Sequence, residues 1–305
     1  MAAAGARIDK MRWSVEQRLE FIEFRLFWDG QINRSDLTEK FDISVPQASM
    51  DVGRYQTIAP RNLSYDKRLK TYVATVDFKP VVSTPTARHY FSQLRSIADE
   101  VLAPSETWIG WIPPFGAVPP VRRHLEVGFL RSTTEAIRKS LSIRVNYQSF
   151  SRPQPTWRWL SPHALGFDGF RWHVRAWCHE HSDFRDFVLA RILAVGESKP
   201  HTIDPCTDHE WHATVTLRIA PHPRMRPAQR RAIERDFNMT NGELSVASRV
   251  SLSYYLERQL GLDLGPTQVT PERQQIVLLN RPELEKVRRD LRRGSSVSSH
   301  LPRTE

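Results

Sequence analysis

Apolar residues recur along this chain at two spacings, one helical and one alternating. From Ser14 to Trp28 (SVEQRLEFIEFRLFW), Leu19, Ile22, Leu26 and Phe27 recur at helical spacing and predict one apolar face. Ser14 is the expected N-cap, Gln17 stands at the capping-box position, and Gly30 ends the helix. A short second helix is predicted from Asn33 or Ser35 to Phe41. A tight turn through Asp42 and Ile43 then leads to Ser44, a new N-cap, and a third helix over residues 45–57 with Pro46 in its first turn. Residues 61–73 read as two short strands, with Lys67, Arg68 and Lys70 at the tip between them.

The period then weakens. A helix is expected from Thr86 to Leu102, after Pro85 and before Pro104, followed by an aromatic, proline-rich connector from Trp108 to Phe115. A helix over 132–140 precedes strands at 143–148, 157–165 and 171–178. The last two are joined by a turn at Phe167-Asp168-Gly169-Phe170, and a further strand is read over 184–195. The final third alternates strand and helix. Strands are predicted at 211–219, 242–251 and 275–279, and helices at 227–237, 254–261 and 282–292. The Ser-rich end from Gly294 is expected to be disordered. Boundaries follow at 1–80, 81–130, 131–200, 205–293 and 294–305.

Side chains alternate along a strand, so Arg171, His173 and Arg175 share one face, and Trp172, Val174 and Ala176 the other. Tyr147, Ser149, His163 and Arg191 are expected neighbours of the cationic face. Two guanidiniums and an imidazole on one sheet face suit a phosphate or nucleotide, although a solvated strand face has the same composition.

Composition adds three constraints. The formal net charge of +10 favours a polyanionic partner, while cations and acids nearly cancel over residues 1–80, so DNA binding there depends on where the cations lie. The two cysteines, Cys178 and Cys206, lack metal-ligand or disulfide-framework spacing. With no apolar membrane span and no signal-peptide core, the expectation is a cytoplasmic protein without a membrane partner.

The short helix, the turn and the capped third helix have helix-turn-helix spacing, and the basic hairpin reads as a wing. Ser44, Gln47, Ser49, Arg54 and Tyr55 are the candidate DNA contacts of the third helix, and Lys67, Arg68 and Lys70 those of the wing. A small three-helix cap with a solvated hairpin is the other reading of the same pattern.

The run Arg171-Trp172-His173-Val174-Arg175-Ala176 resembles the signature strand of WYL domains, the ligand-sensing modules of many bacterial transcription regulators. So do Val145 to Ser149, Ser161-Pro162-His163 and Arg191-Ile192. Trp-His-Val stands where the name-giving motif has Trp-Tyr-Leu, a substitution that resembles the WYL repressors that sit beside phage-defence operons such as BREX and CBASS systems. The resemblance implies a multidomain α+β fold: a winged helix-turn-helix, a central WYL domain of Sm-like β-barrel type, and a ferredoxin-like αβ extension contributing to dimerisation. It implies a homodimeric repressor on an inverted-repeat operator of double-stranded DNA, controlled by a nucleotide or oligonucleotide effector.

Catalysis is not expected: GxSxG, P-loop, GxGxxG and HExxH motifs are absent, and Asp168, Asp183 and Asp186 read as isolated acids. His179-Glu180-His181 reads as a solvated turn, and neither metal nor cofactor is expected. The alternative function is a sequence-tolerant accessory protein holding single-stranded nucleic acid, with Trp172, Trp177 and Phe184 stacking on bases.

Overall fold

The computed structural model describes residues 2–119, 121 and 123–298. The chain divides after residue 121 into two compact units. Among the described residues, no helix is long and apolar enough to cross a membrane.

The first unit opens with α1 (Ala2–Trp28), β1 (Gln31–Ile32), α2 (Arg34–Phe41) and α3 (Val45–Ile58). Then follow β2 (Leu63–Asp66), β3 (Thr71–Ala74) and α4 (Ala87–Ala98). Ser14 is therefore an interior residue of α1 and not its cap. Alanine is the best helix former, and a run such as Ala2-Ala3-Ala4 adds backbone bonds to a helix already nucleated. The buried face of α1 is also wider than the sequence predicts. Phe21 and Phe24 join Leu19, Ile22 and Leu26, while Phe27 is 42% exposed. The reason is that α1 is covered twice. Phe21, Ile22 and Leu26 meet Leu37, Val52 and Tyr55, and Phe24 meets Leu94 and Ile109 beyond the hairpin.

The expected turns hold. Gly30 sits at φ 72 after α1, Asp42 at φ 50 after α2, and the Ser44 side chain accepts from the backbone N–H of Gln47 to cap α3. β3 lies between β1 and β2 in an antiparallel three-stranded sheet. Gly110 is a close approach: a Cβ there would collide with the Arg25 guanidinium, and the Gly110 N–H donates to Asp29 at 2.9 Å.

The second unit begins with α5 (Val127–Lys139), β4 (Leu141–Tyr147), β5 (Thr156–Phe167), β6 (Trp172–Cys178), β7 (Asp183–Val188) and β8 (Ile192–Pro200). These strands form one antiparallel sheet in the order β7-β6-β5-β4-β8. The single strand expected over 184–195 is thus two strands on opposite edges. A 3₁₀ turn at Leu189–Arg191, with Leu189 buried, carries the chain from the β6 side to the β4 side. β5 bends through a register shift between Pro162 and Ala164. Val145, Leu160, Val174, Ala176 and Ile192 form the core under this sheet, with Ala136 of α5 against it.

After α6 (His209–His212) come β9 (Thr214–Pro221), α7 (Pro227–Asp236), β10 (Leu244–Arg249), α8 (Val250–Gln259), β11 (Ile276–Leu278) and α9 (Arg281–Ser298). β9 is central and antiparallel to both neighbours. Leu217, Ile219, Ile233, Val250 and Leu284 bury together on it. Residues 294–298 of the expected disordered end are helical, since α9 continues through them; 299–305 lie outside the described residues.

Candidate DNA-binding surface and sensing sheet

On α3, Ser44 and Arg54 are exposed. Gln47 donates to Asp51 at 3.1 Å, and Asp51 is held in turn by the buried Arg18 at 2.6 Å. Ser49 donates to the Val45 carbonyl at 3.0 Å and accepts from Arg34 at 3.3 Å. Arg34, in the first turn of α2, is thereby brought to the surface of α3, which spacing within one helix does not reveal. Tyr55 is a correction. It is fully buried, its hydroxyl donating to Glu23 at 2.9 Å and accepting from Asn62 at 3.0 Å, so it cannot touch DNA in this fold. Burial and the Glu23 carboxylate raise its phenol above the usual range. Glu23 also accepts from the backbone N–H groups of Val81 and Ser83, each at 2.7 Å, tying the chain beyond the hairpin to α1. Lys67, Arg68 and Lys70 are exposed at the hairpin tip. Asp66 shapes that tip by accepting from the N–H groups of Arg68 and Leu69, at 2.7 and 2.9 Å.

The cationic face of β6 is not open. His173 and Arg175 are 3% and 4% exposed, as buried as Val174 on the other face. Asp168 and Asp186, read as isolated acids in the sequence, cover them together with Asp208 and Glu210, which the sequence reading did not single out. Asp168 accepts from Arg171 at 2.8 Å and from His173 at 2.9 Å. Asp208 accepts from Arg175 through both oxygens, at 2.7 and 2.8 Å, and pairs with His163 at 2.8 Å. Glu210 and Asp186 lie 3.0 and 3.4 Å from the same guanidinium. The Tyr255 hydroxyl donates to Asp186 at 3.1 Å, and its ring lies 4.9 Å from that of His173.

Electrostatics follow from this packing. Burial pushes Asp208 up, but the hydrogen bonds from Arg175 and His163 outweigh it and hold the carboxyl well below the usual range. Asp168 is likewise lowered, by His173 and Arg171 against burial. Asp186 goes the other way: burial raises it more than Arg175 lowers it. Burial opposes the charge on Arg175, yet its acidic partners raise its pKa further.

Four of the seven expected ligand residues, His163, Arg171, His173 and Arg175, are therefore engaged with carboxylates on one side of the sheet. The other three sit elsewhere. Tyr147 is buried in the core, accepting from the Val188 N–H at 3.1 Å with its ring edge-on to Phe187. Ser149 bonds Ser151 in a loop at 2.6 Å, and the Arg191 guanidinium lies 3.8 Å from the Phe150 ring centroid. The residues missed are Asp208, Glu210, Tyr255 and Arg292, which pairs with Glu210 at 2.9 Å. No local pattern signals them.

The His179–His181 pair does not share a site. His179 bonds Ser161 at 2.8 Å, whereas His181 faces Cys178 at 3.2 Å. Cys178, Glu180 and His181 bring ligand atoms within 4.8 Å of one another, but Glu180 is already bound by Arg152 at 2.6 Å.

Family profiles match three successive parts of the chain. The BrxR transcriptional regulator winged helix-turn-helix domain covers 14–96, the WYL domain 128–196, and the BrxR transcriptional regulator C-terminal dimerization domain 214–284. The chain is 41% identical over 288 residues to the DNA-binding transcriptional repressor CapW of Stenotrophomonas maltophilia, covering 93% of this chain and 96% of that one. The chain belongs to the CapW family. The CapW of Pseudomonas aeruginosa is 44% identical over 276 residues, covering 90% and 91%. That of Escherichia coli strain KTE188 is 41% identical over 273, with the same coverage. CapW relatives are named as repressors and not as enzymes. A solved proteasome accessory factor B/C of Arthrobacter aurescens overlaps at a TM-score of 0.25 and 17% identity, over 59% of this chain and 29% of that one.

Proposed function

We propose that this chain is a homodimeric transcriptional repressor of a phage-defence operon. Two copies bind an inverted-repeat operator, each placing α3 in the major groove and Lys67, Arg68 and Lys70 on phosphate, since two-fold protein symmetry is mirrored in the site. Ser44, Gln47, Ser49 and Arg54 are the candidate contacts of α3. The observation carrying this reading is the capped, exposed start of α3 beside a basic hairpin tip, in a chain matched nearly end to end by named repressors. An anionic effector at the WYL sheet relieves repression by binding the DNA-incompetent arrangement more tightly, because equal affinity for both states shifts nothing.

Fluorescence anisotropy tests it. A duplex from the gene's own upstream region is titrated against a scrambled duplex at two salt concentrations. Preference for the first that survives higher salt supports a sequence-reading repressor. Equal, steeply salt-sensitive binding to both would favour the single-strand accessory reading. Of the aromatics that alternative calls on, Phe184 is buried and offers no face to a base, whereas Trp172 is 52% exposed.

A further inference from the structure

A cavity of about 770 Å³ lies beside the sensing sheet, between β6–β7 and helices α8 and α9. Arg175 forms its floor, with Arg185, Arg292 and Tyr254 among its walls. Charge is unevenly distributed between floor and mouth. The Arg292 and Arg185 side chains are 74% and 46% exposed, whereas those of Asp208 and Glu210 are 1% and 14% exposed. Asp183, 50% exposed, also lines the mouth and lies 3.7 Å from Arg185, so an entering ligand meets Arg292 and Arg185 beside that one acid, while Asp208 and Glu210 stand behind them, already engaged.

Two features define what fits. Guanidinium forks bind carboxylate and phosphate through the same paired N–H geometry, so exchanging one anion for the other keeps the bonds of the arginine. Asp208 uses that geometry fully on Arg175, and Glu210 bridges Arg175 to Arg292 through its two oxygens, at 3.0 and 2.9 Å. Both acids belong to the segment between the WYL match, ending at 196, and the dimerization match, beginning at 214. They are the carboxylates in this network that are not built on the sheet or its hairpin turn, so they are the ones that leave without unfolding a strand.

We infer that this cavity binds a ligand carrying at least two phosphate groups, and that Asp208 and Glu210 occupy its phosphate positions when it is absent. The half-exposed Tyr254 ring offers a face to a base, which makes a nucleotide or short oligonucleotide the chemical class. Phosphates entering past Arg185 and Arg292 take Arg175 and Arg292 from the two acids. That releases the 201–213 segment from the sheet and frees the dimerization domain to shift. This inference rests on the proposed effector control and specifies its site and its competitor.

Calorimetric titration of the full chain with inorganic pyrophosphate and with the dinucleotide pTpT tests the exchange. Arg292→Ala and Arg185→Ala, both at exposed positions, should each weaken binding about tenfold, as loss of a charged hydrogen bond does. Glu210→Gln should tighten it by a similar factor, because a competing carboxylate is gone. Should the Gln variant misfold, Glu210→Ala at the same position makes the same test. Absence of binding, or affinities indifferent to all three positions, would overturn the site. A separate arm measures operator release by pTpT. Release that ignores Arg185, Arg292 and Glu210 overturns this site while leaving effector control standing. Binding that obeys them without operator release keeps the site and removes effector control.

Discussion

Asp208 holds Arg175 through both carboxylate oxygens, at 2.7 and 2.8 Å, across 33 residues of chain. That one contact turns a strand face with the charge of a ligand site into a closed junction between the WYL sheet and the segment leading to the dimerization domain. A buried guanidinium is costly without its partners, so the acids and the cation must be considered together.

Asp208→Ala takes the carboxylate from His163 and leaves Arg175 with Glu210 and Asp186 alone. The expected loss is about 3–5 kcal/mol of unfolding free energy, the usual result of removing one partner of a buried pair. Urea denaturation of the variant beside wild type measures it. A change below about 0.5 kcal/mol, the level of an ordinary surface substitution, would mean that the pair is not formed in solution.

Acid should weaken this junction late. Asp208 and Asp168 are held below their usual range, so their contribution is present above the unfolded carboxyl value of about 3.9 and is lost as pH falls through the lower folded values. Asp186, raised by burial, runs oppositely: it protonates first on acidification, and the folded state gains relative stability as it does. The melting difference between wild type and Asp208→Asn should therefore be flat from pH 7 to about 4 and close below it. A difference that closes between pH 7 and 5 would contradict the assignment.

Tyr55→Phe removes a hydroxyl shared by Glu23 and Asn62 and leaves both buried groups a partner short. The expected cost is about 1–3 kcal/mol in stability. Operator affinity, measured well below the melting transition, should be unchanged. A loss of affinity in the folded variant would return Tyr55 to the DNA surface.

Replacing Lys67, Arg68 or Lys70 by Ala should weaken binding to operator and scrambled duplexes alike and lower the salt slope by about one per residue. Gln47→Ala or Arg54→Ala at a base-reading position should instead cost about 1–3 kcal/mol on the operator alone. Anisotropy on the two duplexes separates these outcomes.

Short-range chemistry was legible in the sequence. Asn33 and Ser44 stand at helix starts, Gly30 and Gly169 take up positive φ at turns, and the basic residues of 67–70 lie at a hairpin tip. Strand alternation also placed Arg171, His173 and Arg175 on one face. Each depends on residues a few positions apart, where backbone geometry alone dictates the outcome.

What lies opposite a face is a different matter. A period of two or of 3.6 says which side chains point together, not what they meet. Tyr55 turned inward because Glu23, 32 residues earlier, reaches it from α1. Tyr147 went to the core because Phe187 packs there, and the strand read over 184–195 split because Leu189 is buried at the crossing between sheet edges. The cations of β6 became a closed network because Asp208, Glu210 and Tyr255 arrive from elements 33, 35 and, for Tyr255 on Asp186, 69 residues away. The sequence by itself determined the starts of α2 and α3, the basic hairpin and the family. Only the tertiary structure decided that the cationic face of β6 is covered, because charge neutralisation in a buried junction depends on which distant segments pack together.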